Sequence, residues 1–265
     1  MTHEGAPLAP AAPGSADPAA AAAPAPAATS DAGSAPAGGA TAAVKRATDR
    51  AVAARLAAEP AFADMVEMIQ PSVVTVTAQL QDPFTGGTVA TTGSGVIVTR
   101  NGYVLTNAHV LDGAGSVIVT LMDGRELRAQ VVDQRAERDL ALLKVNATKL
   151  RAAQVGNSGK VRVGQTAIAI GNPLGRYPGT VTRGIVSGLD RSIDTDLGWE
   201  TLRLTGLIQT DAAINEGSSG GALFDLDGRL IGITNAVNRR AQGVGFAIPI
   251  SAASALLDQA RQNAG

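Results

Sequence analysis

The 265-residue sequence contains no cysteine. Disulfides, thiolate metal ligands and a cysteine nucleophile are therefore excluded, and the redox compartment stays undetermined because a cysteine-free chain works in any of them. Histidine is nearly as scarce. Of the two present, His3 stands in the N-terminal tract and only His109 in the body, so no histidine cluster can build a zinc site. No metal and no cofactor are expected. Charge is almost balanced, at a formal −1, and the basic residues do not cluster, which speaks against a nucleic-acid surface or a polybasic membrane patch. No run reaches the ~18 apolar residues that a transmembrane helix needs. The N-terminus also lacks the basic and Leu-rich regions of an export signal. Ala19 to Ala28 nevertheless resembles the small-residue stretch that follows such a signal, which leaves a different start open.

What is present divides the chain. Residues 1–43 are dominated by Ala, Pro, Gly and Ser, with Glu4, Asp17 and Asp31 as their only charges, and their apolar positions follow neither period 2 nor period 3.6. Such a tract buries too little surface to offset its ordering entropy, so a disordered, partly polyproline-like tail is expected. Residues 41–59 are rich in helix formers and carry Lys45, Arg46, Arg50 and Arg55, the pattern of a solvated helical linker. Next, Phe62, Met65, Val66 and Ile69 fall at helical spacing until Gln70-Pro71 stops the run, which predicts a short docking helix.

From Pro71 onward short runs of Val, Ile, Leu and Thr alternate with Gly, Asn and Asp. Asn101-Gly102, Asp112-Gly113 and Asp123-Gly124 supply the positive φ of tight turns. Two strand sets, about 71–150 and about 155–250, predict an all-β protein of two small barrels side by side. The segment 251–262 reads as a closing helix that starts from a Ser251 cap. The expected organisation is a tail and linker over 1–60 and one domain over 61–265.

Chemistry concentrates in Asn215-Glu216-Gly217-Ser218-Ser219-Gly220-Gly221, a Ser among glycines between two apolar strand runs. Such a turn lets the amides of Gly217 and Ser219 converge on a developing oxyanion. The same residues match the G-x-S-x-G elbow of α/β hydrolases, but that elbow requires a helix after the Ser and a downstream His; the following residues read as strand and no His follows residue 109. A base must lie upstream, and His109 after the run YVLTN is the only one in the body. The candidate orienting acid is Asp139, immediately before LALLKV; Asp133 and Asp211 compete with it. The chain order His109, Asp139, Ser219 is that of the chymotrypsin arrangement.

With these segments in view, the chain resembles the HtrA (Deg) proteases over roughly residues 62–251. The resemblance rests on GSGVIVTRNGYVLTNAHV around the histidine, RDLALLKV at the aspartate, VGQTAIAIGNPLG, and GLIQTDAAINEGSSGGALFD around the serine. It implies two six-stranded antiparallel chymotrypsin-like barrels, a triad of His109, Asp139 and Ser219 in the cleft between them, and proteolysis of unfolded or damaged proteins through an acyl-enzyme. It also implies a homotrimer for which Phe62 is a candidate contact, and an extracytoplasmic location. Two departures stand out. Ser218 occupies the place of the family's usual Asn, and Glu216 adds an acidic group beside the oxyanion turn. A latent or non-enzymatic double barrel that holds unfolded protein is therefore the alternative reading. The PDZ modules that many family members carry have no counterpart in these residues. By the same resemblance, Ala213, Ser218, Thr234, Asn235 and Ala236 would bind substrate. No acid stands at the pocket floor, so small to medium aliphatic side chains are expected there rather than Lys or Arg.

Overall fold

A computed structural model of the chain describes residues 45, 47–50, 61–81, 87–196, 201–235 and 243–263. The chain falls into two compact units, residues 1–50 and 51–265. In the first, residues 45 and 47–50 are helical and exposed, as a solvated helical linker would be. The tail over 1–43 and the rest of the expected linker lie outside the described residues.

The second unit holds two rings of strands. The first is a closed barrel of β1 (Val73–Gln81), β2 (Thr88–Ile97), β3 (Tyr103–Thr106), β4 (Ser116–Thr120), β5 (Glu126–Arg135) and β6 (Leu140–Val145), in the order β1-β2-β3-β6-β5-β4. The second comprises β7 (Gln154–Val155), β8 (Thr166–Gly171), β9 (Thr180–Asp196), β10 (Thr201–Thr210), β11 (Ala222–Phe224), β12 (Arg229–Asn235) and β13 (Gly245–Pro249). Its order is β11-β8-β9-β10-β13-β12-β7, and an additional β11–β12 pairing closes six of these strands into a ring. Against the expected six strands, the short β7 is an extra, joined to β12 in the only parallel pairing among the described strands. The turn residues behave as their chemistry requires. At Gly102, φ is +100° and a Cβ would collide with the Val145 carbonyl, so only glycine turns there without strain.

Alternation along single strands builds the core. In β6, Leu140 and Leu142 point into a cluster between the two barrels, while Ala141, Leu143 and Val145 fill the interior of the first. In β8, Ile168 and Ile170 join the same shared cluster, and Ala167 and Ala169 face the interior of the second barrel. Both faces of these strands are buried, so LALLKV and TAIAIG read as continuous apolar runs rather than alternating ones. Burying one such Leu or Ile side chain contributes about 1.5–3 kcal/mol. The shared cluster therefore fixes one barrel against the other, and residues at their junction acquire a defined geometry.

Helix α1 (residues 61–69) follows the expected pattern: Met65 is buried, and Phe62, Val66 and Ile69 pack against the shared cluster. It docks over the β11–β12 turn, where the Met65 and Ile69 side chains approach Gly228 closely. Helix α2 (Ser254–Gln262) buries Leu256, Leu257 and Ala260. Its start differs from expectation. Ser251 lies in a 3-10 turn over Ile250–Ala253, and no side chain caps α2. The Ser251 N–H instead donates to Ser158 Oγ at 3.1 Å.

Candidate active site

His109 opens a 3-10 turn directly after β3, and Asp139 ends a second such turn directly before β6. Because β3 and β6 are paired neighbours, with Thr106 opposite Ala141, the two turns emerge side by side at one end of the barrel. Asp139 adopts a left-handed conformation, φ +51°, which Asp tolerates better than most residues. Its carboxylate accepts from the His109 backbone N–H through Oδ1 at 2.9 Å and meets His109 Nδ1 through Oδ2 at 2.8 Å. Asp139 is 2% exposed, whereas the His109 side chain remains 26% exposed.

Two asparagines complete this arrangement. Asn235 Nδ2 donates to Asp139 Oδ2 at 2.8 Å, and Asn107 Nδ2 donates to the Asp139 carbonyl at 2.8 Å. The electrostatics follow. Burial by itself works against protonated His109, but the hydrogen bond to Asp139, the charge of Asp139 and a lesser contribution from Asp112 outweigh it, and the His109 pKa is raised. The competing acids lie elsewhere. Asp133 pairs with Arg135 at 2.8 Å, and Asp211 accepts the Ile185 N–H at 2.6 Å.

The segment around Ser219 comes from the second barrel and is held mainly through its backbone. The Ser94 N–H donates to the Ser219 carbonyl at 2.7 Å, and the Gly220 N–H to the Thr234 carbonyl at 2.9 Å. Gly220 has φ +83°, and a Cβ there would meet the Ser94 carbonyl and Thr106 Oγ1. Glycine is thus required where the turn presses against β2 and β3, three residues from His109. At Gly93 the same convergence appears: a Cβ would lie against the Val110 side chain and 3.1 Å from the Ser219 carbonyl. Ser218 and Ser219 are 8% and 7% exposed.

Gly217, at φ +85°, is tied across the barrel junction. Ser94 Oγ donates to its carbonyl at 2.8 Å and accepts from the Asn172 N–H at 2.8 Å. The Glu216 carbonyl accepts the Leu174 N–H at 2.6 Å. In a trans peptide the N–H points opposite the C=O, so the Gly217 N–H faces away from Leu174.

The expected substrate-binding residues divide. The Ser218 carbonyl accepts from Thr234 Oγ1 at 2.6 Å. The side chains of Thr234 and Asn235 are 1% exposed and engaged on Ser218 and Asp139, so they serve the turn and the acid rather than facing a pocket. Ala213 is exposed, with its carbonyl accepting from Thr182 Oγ1 at 2.9 Å. Ala236 lies outside the described residues. Among the functional positions that sequence reasoning missed are Asn107, Ser94 and Asn172. The adjacency of Asn107 to Ala108-His109 was a signal for the first; Ser94 and Asn172 carry none that a local pattern reveals. Among the described residues no cluster of His, Asp and Glu is arranged to hold a metal ion, and no helix is long and apolar enough to cross a membrane.

Two barrels with a His–Asp pair at their junction and a glycine-flanked serine turn beside it define the architecture of a trypsin-like peptidase, and residues 93–233 match the model of the trypsin-like peptidase domain. The chain belongs to this family, and within it to the HtrA type. It is 44% identical over 174 residues to a probable periplasmic serine endoprotease DegP-like of Halomonas elongata, covering 64% of this chain and 35% of that protein. Its identity to the serine protease Do-like HtrB of Bacillus subtilis is 40% over 219 residues, 76% of this chain and 47% of the relative. The chain thus spans less than half the length of these curated relatives. Among solved structures, the HtrA-type protease AlgW with tripeptide superposes at a TM-score of 0.65 with 42% identity, covering 74% of this chain and 62% of that one. AlgW with decapeptide gives 0.62 at 38% identity, covering 77% and 68%.

Proposed function

We propose that this chain is a serine endopeptidase that cleaves unfolded protein through an acyl-enzyme. The observation that carries this reading is the His109–Asp139 pair, formed by a buried carboxylate and a partly open imidazole, beside the serine turn of the second barrel. Ser219 Oγ attacks the substrate carbonyl while His109 Nε2 takes its proton. Asp139 holds the tautomer with the proton on Nδ1 and stabilises the imidazolium that forms. The Gly217 and Ser219 amides bind the oxyanion, and His109 then returns the proton to the leaving amine; water repeats the sequence to release the acid. The outward turn of the Glu216 carbonyl onto Leu174 supports a competent oxyanion turn despite the acidic side chain at that position.

The acyl side of the substrate runs along the end of β12, with Ala213 at the floor of its pocket. The Ile214 side chain lies against Gly245 on this flank, which narrows the space and supports small to medium aliphatic residues before the cut. A homotrimer is the proposed assembly, with α1 nearby; Phe62, candidate for the contact, carries the Arg183 guanidinium over its ring at 4.8 Å.

Casein unfolded beforehand is incubated with the purified chain and with Ser219→Ala, and product termini are read by mass spectrometry. Cuts after Val, Ala or Ile that disappear in the variant are expected. Cuts that persist in Ser219→Ala overturn the assignment of the nucleophile, and absence of any cut by the wild type overturns the activity in favour of a holding protein.

A further inference from the structure

Away from the serine turn, a concavity of about 250 Å3 opens where the 3-10 turn over Ala136–Arg138 faces β10 and the end of β13. Its floor is apolar, made by Leu204 and Leu207 of β10 and Ile248 of β13, each at most 3% exposed. Its rim is charged, with Arg203 from β10 and with Glu137 and Arg138 from the 3-10 turn. None of these residues is among those hydrogen-bonded to His109, Asp139 or the serine turn. We propose that this concavity is a binding site for a short aliphatic monocarboxylate, with the carboxylate on Arg138 and Arg203 and the stem over Leu204, Leu207 and Ile248.

The head group follows from the charges. Arg138 has no ion-pair partner among the described residues. Arg203 meets Asp194 at 3.6 Å, but both side chains are largely exposed, so the pair contributes little, and a guanidinium has more N–H donors than that contact uses. A planar guanidinium matches a carboxylate with paired donors. Glu137 limits the head to one negative charge, because a dianion such as a phosphate monoester would be repelled by its carboxylate. The stem follows from the floor. Covering apolar surface is favourable roughly in proportion to its area. A cavity of about 150 Å3 takes a benzene-sized molecule, so about 250 Å3 suits a carboxylate on a stem of about five to seven carbons.

The walls are set before any ligand arrives. The Asp139 N–H closes the 3-10 turn on the Ala136 carbonyl at 3.0 Å, and Asp139 is itself held by His109, Asn107 and Asn235. Across the floor, β10 and β13 are paired with Ile208 opposite Ala247. Walls that are already ordered lose little freedom on binding, which favours a small ligand with few contacts of its own.

The test needs no catalytic activity. Hexanoate is titrated into the full chain, and the Ile248 methyl resonances, assigned by their loss in Ile248→Val, are followed by NMR. A saturable shift with a Kd of about 1 mM or tighter is expected. Hexanol and hexylamine keep the stem without the carboxylate, and acetate keeps the carboxylate without the stem; each should bind at least about tenfold more weakly. Arg138→Gln and Arg203→Gln, at exposed positions where the fold tolerates the change, should each weaken hexanoate by about fivefold or more. Arg261→Gln, which alters an exposed arginine outside the concavity, should leave the Kd as in wild type. The proposal is overturned by the absence of a saturable Ile248 shift up to about 20 mM hexanoate, by shifts confined to the serine turn, by equal affinity for hexanol, or by binding that survives both arginine substitutions.

Discussion

The two barrels contribute unlike halves of the site. The first supplies the His109–Asp139 pair, the proposed base and its orienting acid, which is fixed by side chains: Asp139 receives His109 and Asn235 on its carboxylate. The second supplies the serine turn, which is fixed by backbone groups and by glycines at positive φ, with Ser94 reaching across from the first barrel. The difference teaches that a buried charge needs donors of its own, because an unpaired carboxylate at 2% exposure would be costly. The serine turn, in its proposed role as oxyanion turn, needs the opposite arrangement. Its amide donors must stay directed at the substrate, so its carbonyls take up the internal bonds.

The comparison is broken most severely at the acid. Asp139→Asn should lower kcat about 10⁴-fold, since the amide favours the wrong imidazole tautomer. Steady-state kinetics on a cleaved peptide check this, and a loss within tenfold would show that His109 is oriented without the carboxylate. On the backbone-held half, Gly220→Ala should cost about 1–3 kcal/mol from the positive φ alone, and more from the collision with the Ser94 carbonyl and Thr106 Oγ1. Urea unfolding measures it, and a variant as stable as wild type would mean the turn can retreat from the first barrel.

Ser94→Ala tests the bridge between the halves. It strands the Gly217 carbonyl and the Asn172 N–H in a buried place, at about 1–3 kcal/mol of stability. It should also reduce kcat/KM beyond any loss of folded protein, because Gly217 is released; equal activity per folded molecule would remove Ser94 from the oxyanion support.

The smallest effect sharpens the electrostatics of the first half. His109 has its pKa raised, with burial opposing and Asp139 and then Asp112 favouring the proton. As base it acts when neutral, so kcat/KM should rise with pH through a value above about 6.5. Asp112→Asn removes one favourable charge and should move this limb to lower pH; an unmoved or rising limb contradicts the assignment. Stability runs the other way. A raised folded pKa contributes stability that is complete below about pH 6.5 and is lost as pH rises through the folded value, and Asp112→Asn should diminish it.

Much of this was legible beforehand. Short apolar runs of strand length and Asn-Gly or Asp-Gly turns announced two barrels, and α1 appeared where Phe62, Met65, Val66 and Ile69 repeat at helical spacing. The Ser251 cap failed because the chain enters a 3-10 turn there and the helix begins three residues later. Thr234 and Asn235 were expected against substrate, yet their side chains turn inward to Ser218 and Asp139. A strand-end motif shows that a polar residue is present but not which buried partner it will satisfy.

The sequence by itself determined the inventory: one histidine in the body, one serine turn rich in glycine, and an order along the chain compatible with a triad. Asp139 was already preferred to Asp133 and Asp211 in the sequence, but only the tertiary structure shows its carboxylate on His109, and only it joined Asn235 to Asp139 across 96 positions and Ser94 to Gly217 across 123. The physical reason is the range of the forces involved. Strand periodicity and turn φ are set by neighbouring residues, whereas the partner of a buried polar group is chosen by whichever distant surface the packing of the apolar core brings against it.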